Sequence, residues 1–131
     1  QILDRKLSGR IKIKSWLDPG ELAAHYAACD VFVLPSIMRT EAFGIVQAEA
    51  MSFGKPVVST EISGSGVSWV NKNGESGITV PPCSPEAIAR AVMDISLRRQ
   101  EYSRGAFERY ERYFTLSQMI RSIKLLYEEV I

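Results

Sequence analysis

Short apolar runs alternate along the chain with longer segments of helical periodicity, which predicts an α/β fold. Val31–Leu34 and Val57–Thr60 are runs rich in β-forming residues, typical of strands buried on both faces of a parallel sheet. Arg10–Leu17 alternates polar and apolar residues, which predicts a strand nearer the edge of the sheet. Ile78–Val80 would be the last of these four strands.

Capping residues place predicted helices between the strands. Asp18 and Glu21 form a capping-box pattern for a helix that runs to about Ala28. The segment from Gly44 to Gly54 contains no other Gly and no Pro, which suits a helix of about two to three turns closed by a glycine. Ser84 predicts the start of a further helix.

The C-terminal part of the chain predicts two helices that differ in polarity. Arg98–Arg112 mixes Arg and Glu in near balance, which indicates a solvated helical face with ion pairs. Thr115 then caps a final helix with an apolar stripe. The stripe consists of Met119, Ile120, Ile123, Leu126, Tyr127 and Val130. Packing of this stripe on the domain's own sheet is the favoured prediction, and an interaction surface for another domain is the alternative.

The order of elements predicts a Rossmann-like parallel sheet with helices on both faces and right-handed crossovers. Asp30–Ser59, at its centre, has the pattern of a strand, a loop, a helix and a second strand. Its loop follows the carboxyl end of a parallel strand, where open α/β sheets bind ligands. Glu61–Gly66 follows the next strand and would lie on the same rim, either as a ligand contact or as a flexible turn.

Two glutamates of this central unit are the candidate functional residues. At 100° per residue, Glu49 falls on a helix that has little other polar surface. An unpartnered buried carboxylate would cost several kcal/mol, so Glu49 either faces a polar cleft or accepts hydrogen bonds, for example from the hydroxyls of a ribose. Glu41 precedes the helix. Both have simpler interpretations, because Glu41 could be a helix-start acid favoured by the dipole and Glu49 a solvated surface residue.

The start of the same helix is a candidate anion site. The amides of Phe43, Gly44 and Ile45 would be among the unpaired N–H groups of its first turn. Gly44 would let a ligand approach the backbone closely. The sequence therefore predicts an anion site beside the two carboxylates.

Four motifs in this region resemble a known family. They are Asp30-Val-Phe-Val-Leu-Pro-Ser36, Glu41-Ala-Phe-Gly44, Glu49-Ala-Met51 and Gly54-Lys-Pro-Val-Val58. They resemble the C-terminal nucleotide-sugar half of retaining GT-B glycosyltransferases of the group 1 type, which include sucrose synthases and many bacterial polysaccharide-building enzymes. The hallmark of that family is a Glu, seven residues and a second Glu, and Glu41 and Glu49 match it. The resemblance runs from about Ser8 to the end of the chain and is loose after Pro85.

The resemblance implies a role for each matched residue. Glu41 would be the catalytic residue and would contact the donor sugar near the reacting carbon. Backbone amides would hold the sugar and the diphosphate, and Glu49 would bind the ribose hydroxyls. The implied substrate-binding residues are Ala42, Phe43, Gly44, Ile45, Val46 and Glu49. No metal and no cofactor are implied, with the nucleoside diphosphate sugar as the substrate.

The resemblance also implies how the chain would fit into a whole enzyme. Residues 1–131 would form a single domain, the incomplete C-terminal donor-binding half of a GT-B fold, without the acceptor-binding N-terminal domain and the first strands. Gln1–Leu7 has the spacing of the end of a helix, and Arg5 and Lys6 do not match the basic pair with which the family neutralises the donor diphosphate. The chain alone is therefore expected to transfer no sugar.

The implied reaction moves a hexose or similar sugar from a nucleoside diphosphate sugar to a glycan or lipid-linked acceptor, with retained configuration, in polysaccharide biosynthesis. The leading alternative is a GT-B-like nucleotide-sugar epimerase or phosphorylase. A flavodoxin-like, non-catalytic interaction domain is the alternative from another class. An acidic cluster at the strand ends would favour that domain, and none is evident in the sequence.

Composition and charge agree with a cytoplasmic globular domain. The chain has 131 residues, a net charge of +1, 46% hydrophobic residues and 24% charged residues, and this charge gives no nucleic-acid signature. The sequence has no signal peptide and no apolar run of about 18 residues, so no membrane span is predicted. Peripheral membrane association of a full-length enzyme stays open. Cys29 and Cys83 lack metal-type spacing and are expected to be thiols rather than ligands or a disulfide.

Overall fold

The computed structural model describes residues 9–130, which contain three strands and six helices. The strands are β1 (Phe32–Leu34), β2 (Val57–Thr60) and β3 (Gly77–Val80). The helices are α1 (Pro19–Ala28), α2 (Ile45–Ser52), α3 (Val67–Val70), α4 (Pro85–Leu97), α5 (Arg99–Tyr113) and α6 (Leu116–Val130). Helices and strands alternate from α1 to α4, which confirms the predicted α/β class.

The described strands form one parallel sheet in the order β1-β2-β3. Val33 pairs with Val58, and Val58 pairs in turn with Ile78. The central position of β2 buries all four of its residues, whereas every residue of β1 is half-buried. The predicted burial on both faces is therefore confirmed for β2 and holds only in part for β1, which lies at the edge of the described sheet.

The predicted strand at Arg10–Leu17 is wrong. This segment has no regular hydrogen-bonded structure, and residues 10–16 are exposed. An alternating pattern produces a strand only where a neighbouring strand pairs with its backbone groups, and no described strand pairs with this one. The described sheet thus has three strands rather than four. The helix end predicted for Gln1–Leu7 lies outside the described residues.

Alternation along β2 directs its side chains into two hydrophobic clusters on opposite faces of the sheet. Val58 packs on one face against β3, α4 and the first turn of α5, and Val57 packs on the other against α2, α3 and α5. The first cluster contains Val58, Val80, Ala91, Ile95 and Tyr102, and the second contains Met51, Val57, Val70 and Ala106. The predicted placement of helices on both faces is therefore confirmed.

The helix boundaries follow the predicted local signals. The Asp18 side chain accepts a hydrogen bond from the Glu21 amide at 2.9 Å, and the Glu21 carboxylate accepts one from the Asp18 amide at 3.3 Å. The Ser84 hydroxyl accepts from the Ala87 amide at 3.4 Å at the start of α4. Gly54 follows α2 with a φ of 65°, the left-handed conformation of a glycine cap.

The charged stretch Arg98–Arg112 forms α5, but one of its arginines departs from the predicted solvated face. Arg109 is only 6% exposed. Its Nε donates to the Val70 carbonyl at 2.8 Å, and its second terminal nitrogen donates to the Trp69 carbonyl. Arg109 thus fastens α5 to the end of α3, a contact between residues far apart in sequence that charge balance does not reveal.

The predicted packing of the α6 apolar stripe on the sheet is also wrong. α6 contacts α5, and none of its described residues is buried. The reason is steric, because α4 covers one face of the sheet while α2, α3 and α5 cover the other. None of the described helices combines the length and the apolarity needed to cross a bilayer.

Candidate functional site

The loops that follow β1 and β2 meet at the carboxyl edge of the sheet. The Gly66 amide donates to the Ala42 carbonyl at 2.7 Å, and the Ser65 hydroxyl donates to the Glu41 carbonyl at 2.5 Å. A Cβ on Gly66 would lie only 3.1 Å from the Ala42 oxygen, so the two backbones touch. The fold therefore brings the loop Glu61–Gly66 beside Glu41, as the shared edge of parallel strands requires.

Glu41 is half-buried ahead of α2. The Ser36 hydroxyl donates to its Oε2 at 3.4 Å, and its own amide donates to the Met38 carbonyl at 3.0 Å. Within residues 9–130 no cationic side chain forms an ion pair with it. Its carboxylate therefore retains acceptor capacity for a ligand at this edge.

Gly44 shapes the start of α2. It is the N-cap residue, with φ 72° and ψ 55°, in the left-handed region that favours glycine. A Cβ at this position would lie 2.6 Å from Gln47 Nε2 and 2.9 Å from Leu34 Cδ2. In the described part of the chain, none of the amides of residues 43–46 donates a hydrogen bond to another group. Free amides at a helix N-terminus attract anions.

Gln47 packs against this turn, and no pattern in the sequence predicts its role. It is fully buried, and its Nε2 lies 3.3 Å from the Val67 carbonyl and 3.4 Å from the Phe43 carbonyl. Gln47 thus ties the start of α2 to α3. Its Oε1 accepts no hydrogen bond within the described residues. Most glutamines on helices are surface residues, so its position in sequence could not indicate burial.

Glu49 faces α1 and has a protein donor. The Tyr26 hydroxyl donates to Glu49 Oε2 at 2.9 Å. Burial of the Tyr26 ring and the hydrogen bond to Glu49 both raise the pKa of the phenol well above its ordinary value, so the phenol stays protonated further into the alkaline range. Glu49 itself is exposed. The Glu49 carboxylate therefore contacts solvent and also accepts a hydrogen bond from within the protein.

A groove of about 390 Å³ runs beside Glu49. Its walls are mainly apolar and come from α1, α2 and the end of α5. The rings of Tyr26 and Phe53 stack there with their centroids 5.8 Å apart. Apolar walls with one convergent carboxylate suit a ligand that has a flat ring and hydroxyl groups.

The other predicted binding residues surround the start of α2. Ala42, Phe43 and Ile45 are exposed, Val46 is half-buried and Gly44 is buried. They share the edge of the sheet with Glu41, whereas Glu49 lies one turn further along the helix and faces the groove. The predicted residues thus form a strip in sequence from Glu41 to Glu49, on the loop before α2 and the first turns of that helix.

One cation that belongs to none of the sequence motifs lies on the same rim. Atoms of the Arg39 guanidinium lie 3.0 Å from the position that a Cβ on Gly64 would occupy, so the side chain rests against that loop. Arg39 is exposed and forms no ion pair within residues 9–130. Its charge is available to an anionic ligand at this edge.

The two cysteines are free thiols. Cys29 is half-buried, which raises the pKa of its thiol, and Cys83 is exposed. No three His, Cys, Asp or Glu side chains of the described part gather as they would around a metal ion.

Comparisons with known proteins point to a family. A family model described as glycosyl transferases group 1 matches residues 1–113. The chain is 42% identical over 86 residues to the D-rhamnosyltransferase WbpZ of Pseudomonas aeruginosa, covering 63% of this chain and 22% of that protein. It is 33% identical over 105 residues to the O-antigen chain mannosyltransferase C of Escherichia coli, covering 78% of this chain and 28% of that protein.

The fold of the chain is also similar to that of a solved glycosyl-transferring enzyme structure. Sucrose-phosphate synthase from Thermosynechococcus elongatus aligns with 98% of the chain at a TM-score of 0.84 and 27% sequence identity. The aligned part is 32% of that structure, so the chain spans between about a fifth and a third of the length of these relatives. The likeness confirms the predicted α/β, Rossmann-like fold of the GT-B class.

Proposed function

The chain belongs to the family of glycosyl transferases group 1, and we propose that it forms the donor-binding half of an enzyme that transfers a sugar from a nucleoside diphosphate sugar to a glycan or lipid-linked acceptor. The observation that carries this proposal is the strip formed by Glu41, the free amides at the start of α2, and Glu49. A nucleotide sugar presents hydroxyls, a diphosphate and a ribose in the same order. The relatives named as rhamnosyl- and mannosyltransferases support sugar transfer in polysaccharide biosynthesis.

Glu41 would bind the donor sugar and act at the reacting carbon. Its carboxylate is half-buried and has only the long hydrogen bond from Ser36 in the described part, so it can accept bonds from sugar hydroxyls. The same negative charge would favour the positive charge that develops on the sugar ring as the bond to the diphosphate breaks. Glu41 would therefore contribute mainly to turnover.

The start of α2 would hold the diphosphate. The free amides of residues 43–46 and the helix dipole favour the charge that accumulates on the departing nucleoside diphosphate. Gly44 provides the left-handed turn that begins the helix, at a position where a Cβ would collide with Gln47 and Leu34. The Arg39 guanidinium on the adjoining loop adds a positive charge beside the diphosphate. Arg5 and Lys6 do not match the family's basic pair and were not expected to supply such a charge. We propose no metal and no cofactor for this step, and turnover should survive treatment with EDTA.

Glu49 would accept hydrogen bonds from the ribose hydroxyls. Tyr26 donates to Oε2, and in the described part no group donates to Oε1. The adjoining groove of about 390 Å³ would receive the nucleoside. Tyr26 would thus hold the carboxylate in one orientation while the ribose occupies the remaining acceptor positions.

The whole reaction would form a bond between the acceptor oxygen and the anomeric carbon and break the bond between that carbon and the diphosphate, on the same face of the sugar. A further domain would provide most of the acceptor site. The reaction would take place in the cytoplasm, with peripheral contact to a membrane where the acceptor is lipid-linked. A nucleotide-sugar epimerase or a phosphorylase could use the same donor site, and the names of the relatives favour transfer.

Calorimetry of the intact enzyme against a panel of nucleoside diphosphates tests the proposal. One or more of them should bind in the micromolar range, and binding should compete with the corresponding nucleotide sugar. No binding at about 1 mM would exclude the donor site. Turnover of a bound nucleotide sugar without an acceptor, or with orthophosphate in place of an acceptor, would instead identify the epimerase or the phosphorylase.

A further inference from the structure

An aromatic cluster extends the candidate site beyond Phe43. The cluster consists of Phe43, Trp69, Tyr113 and Phe114, and we refer to it as the aromatic ledge. The Trp69 ring centroid lies 5.9 Å from that of Phe43, 6.0 Å from that of Tyr113 and 5.6 Å from that of Phe114. Phe43 is also one of the residues whose amide is free at the start of α2. The ledge and the proposed donor site therefore share a residue.

Three rings of the ledge are open to solvent. Trp69 is 52% exposed, Tyr113 is 43% exposed and Phe43 is 41% exposed. A contiguous exposed aromatic surface is unfavourable in water and marks a place where something binds. Because this surface adjoins the loop of Glu41, what it binds would lie next to the donor sugar.

Trp69 is held in place although it is exposed. The buried guanidinium of Arg109 lies 5.6 Å from the Trp69 ring and 4.9 Å from the Tyr113 ring, measured from Cζ to each centroid. Arg109 also donates to the backbone carbonyls of residues 69 and 70. Rings that are already fixed lose little conformational entropy when a ligand stacks on them.

A cavity of about 510 Å³ opens beside the ledge. Its walls are Ser68, Trp69, Lys72, Glu75, Arg109 and Tyr113. Aromatic faces carry partial negative charge and attract the C–H face of a pyranose ring. The Ser68 hydroxyl and the Lys72 ammonium at the rim can bond to the sugar hydroxyls. The Glu75 carboxylate, whose Oε1 pairs with Arg109 at 3.5 Å, can accept from them through its other oxygen. The combination of stacking faces with a rim of both charges matches a saccharide.

We infer that the aromatic ledge binds a pyranose ring of the acceptor glycan, with Trp69 as the stacking face. The inference rests on the proposed function, in which the donor occupies the strip from Glu41 to Glu49. The groove at Glu49 has Tyr26, Phe53 and the ledge residue Phe114 in its walls. Trp69 and Tyr113 line the second cavity and do not line that groove. The nucleoside thus has its own aromatic site, and the sugar that adjoins the donor sugar in a transfer reaction is that of the acceptor.

Titration of the isotopically labelled chain tests the ledge without any nucleotide. The chain has two tryptophans, Trp69 and Trp16, whose indole N–H signals report separately. Trp16 is 76% exposed and serves as the matched control. The probes are methyl α-D-mannopyranoside, methyl β-D-glucopyranoside and an α-linked mannotriose. The Trp69 signal should shift saturably with at least one of them at about 1 to 100 mM, with the Trp16 signal unmoved.

Two results of this titration would overturn the inference. One is the absence of a saturable Trp69 shift with every probe at about 100 mM, or an equal shift of both tryptophans. The other is a Trp69 shift caused by a nucleoside diphosphate alone and not by any of the sugars, which would assign the ring to a nucleobase.

Kinetics of the intact enzyme provide a second test. Trp69→Ala should raise the KM for the acceptor by about tenfold while kcat and the KM for the donor stay within about twofold. Trp16→Ala should leave all three unchanged. If Trp69→Ala does not fold, Trp69→Phe keeps a stacking face and should raise the acceptor KM by a smaller factor. A rise in the donor KM without a change in the acceptor KM would overturn the inference.

The outcomes separate the ledge from the donor site. Sugar-dependent shifts at Trp69 in an enzyme that binds no nucleoside diphosphate would support the ledge and overturn the proposed donor half. Nucleotide-dependent shifts at residues 42–49 with no sugar-dependent shift at Trp69 would overturn the ledge alone.

Discussion

The Tyr26 hydroxyl donates a hydrogen bond of 2.9 Å to the Glu49 carboxylate, across 23 residues of sequence. This bond joins α1 to α2 at the wall of the groove beside Glu49. Tyr26 is 7% exposed, whereas Glu49 remains open to solvent. The pair therefore combines a buried donor with an acceptor that still has room for a ligand.

The buried phenol makes stability depend on pH at the alkaline end. Because the pKa of Tyr26 is raised in the folded chain, the unfolded chain loses this proton first, above about pH 10. The contribution of Tyr26 to the free energy of unfolding is constant below that pH. Above it the contribution falls by up to about 1.4 kcal/mol per pH unit. Urea unfolding between pH 8 and pH 11 should show this slope in the wild type and a shallower one in Tyr26→Phe. Tyr127→Phe, at an exposed tyrosine, should match the wild type, and parallel curves for all three would contradict the prediction.

Replacement of Glu49 should weaken donor binding. If its carboxylate accepts hydrogen bonds from the ribose hydroxyls, Glu49→Ala in the intact enzyme should reduce nucleoside diphosphate affinity by about 1.5 to 3 kcal/mol. Calorimetry with a donor that lacks the ribose hydroxyls is the control, and there the loss should shrink. Equal losses for the two ligands would mean that Glu49 acts through the structure, by its bond to Tyr26.

Glu41 should act on turnover rather than on nucleotide affinity. Because it is placed at the sugar, Glu41→Gln should lower kcat and leave the affinity for the free nucleoside diphosphate nearly intact. The fold should survive, since the only donor to its side chain in the described part is Ser36, at 3.4 Å. Unchanged steady-state turnover would remove Glu41 from the catalytic role.

Arg109 should be a determinant of stability. Arg109→Ala removes the buried guanidinium that donates hydrogen bonds to the carbonyls of Trp69 and Val70. The substitution should therefore lower the free energy of unfolding by about 2 to 4 kcal/mol. Arg112 lies on the exposed side of the same helix. Arg112→Ala should change the free energy by less than about 0.5 kcal/mol. Similar midpoints for both variants in urea would show that the buried contacts contribute little.

The 131-residue chain should bind nucleotide weakly on its own. It carries Glu41, Glu49 and the start of α2, while further charge-assisted contacts, each worth about 1.5 to 3 kcal/mol, are expected from the rest of an enzyme. A nucleoside diphosphate should bind no tighter than high micromolar to millimolar, with chemical-shift changes at residues 42–49. Measurable sugar transfer by this chain alone, or shifts confined to other residues, would contradict the prediction.

Contacts within a few residues were predictable from the order of amino acids. The capping box of Asp18 and Glu21 and the glycine turns at Gly44 and Gly54 depend on bonds within one turn of a helix. The run Val57–Thr60, rich in β-forming residues, likewise predicted the burial of β2. These local rules were sufficient to place the loops of the candidate site at the edge of a parallel sheet.

Contacts between distant residues required the folded chain. The alternation at Arg10–Leu17 has the pattern of a strand, yet a strand exists only where another lies alongside to share its hydrogen bonds. The partners of Glu49 and Arg109 lie 23 and 39 residues away, at Tyr26 and Val70, and no local pattern links such positions. The sequence predicted the apolar stripe of α6. Its exposure could not be predicted, because it follows from the packing of other helices on both faces of the sheet. Periodicity specifies which face of a segment is apolar, whereas its neighbours are selected by the packing of the whole chain.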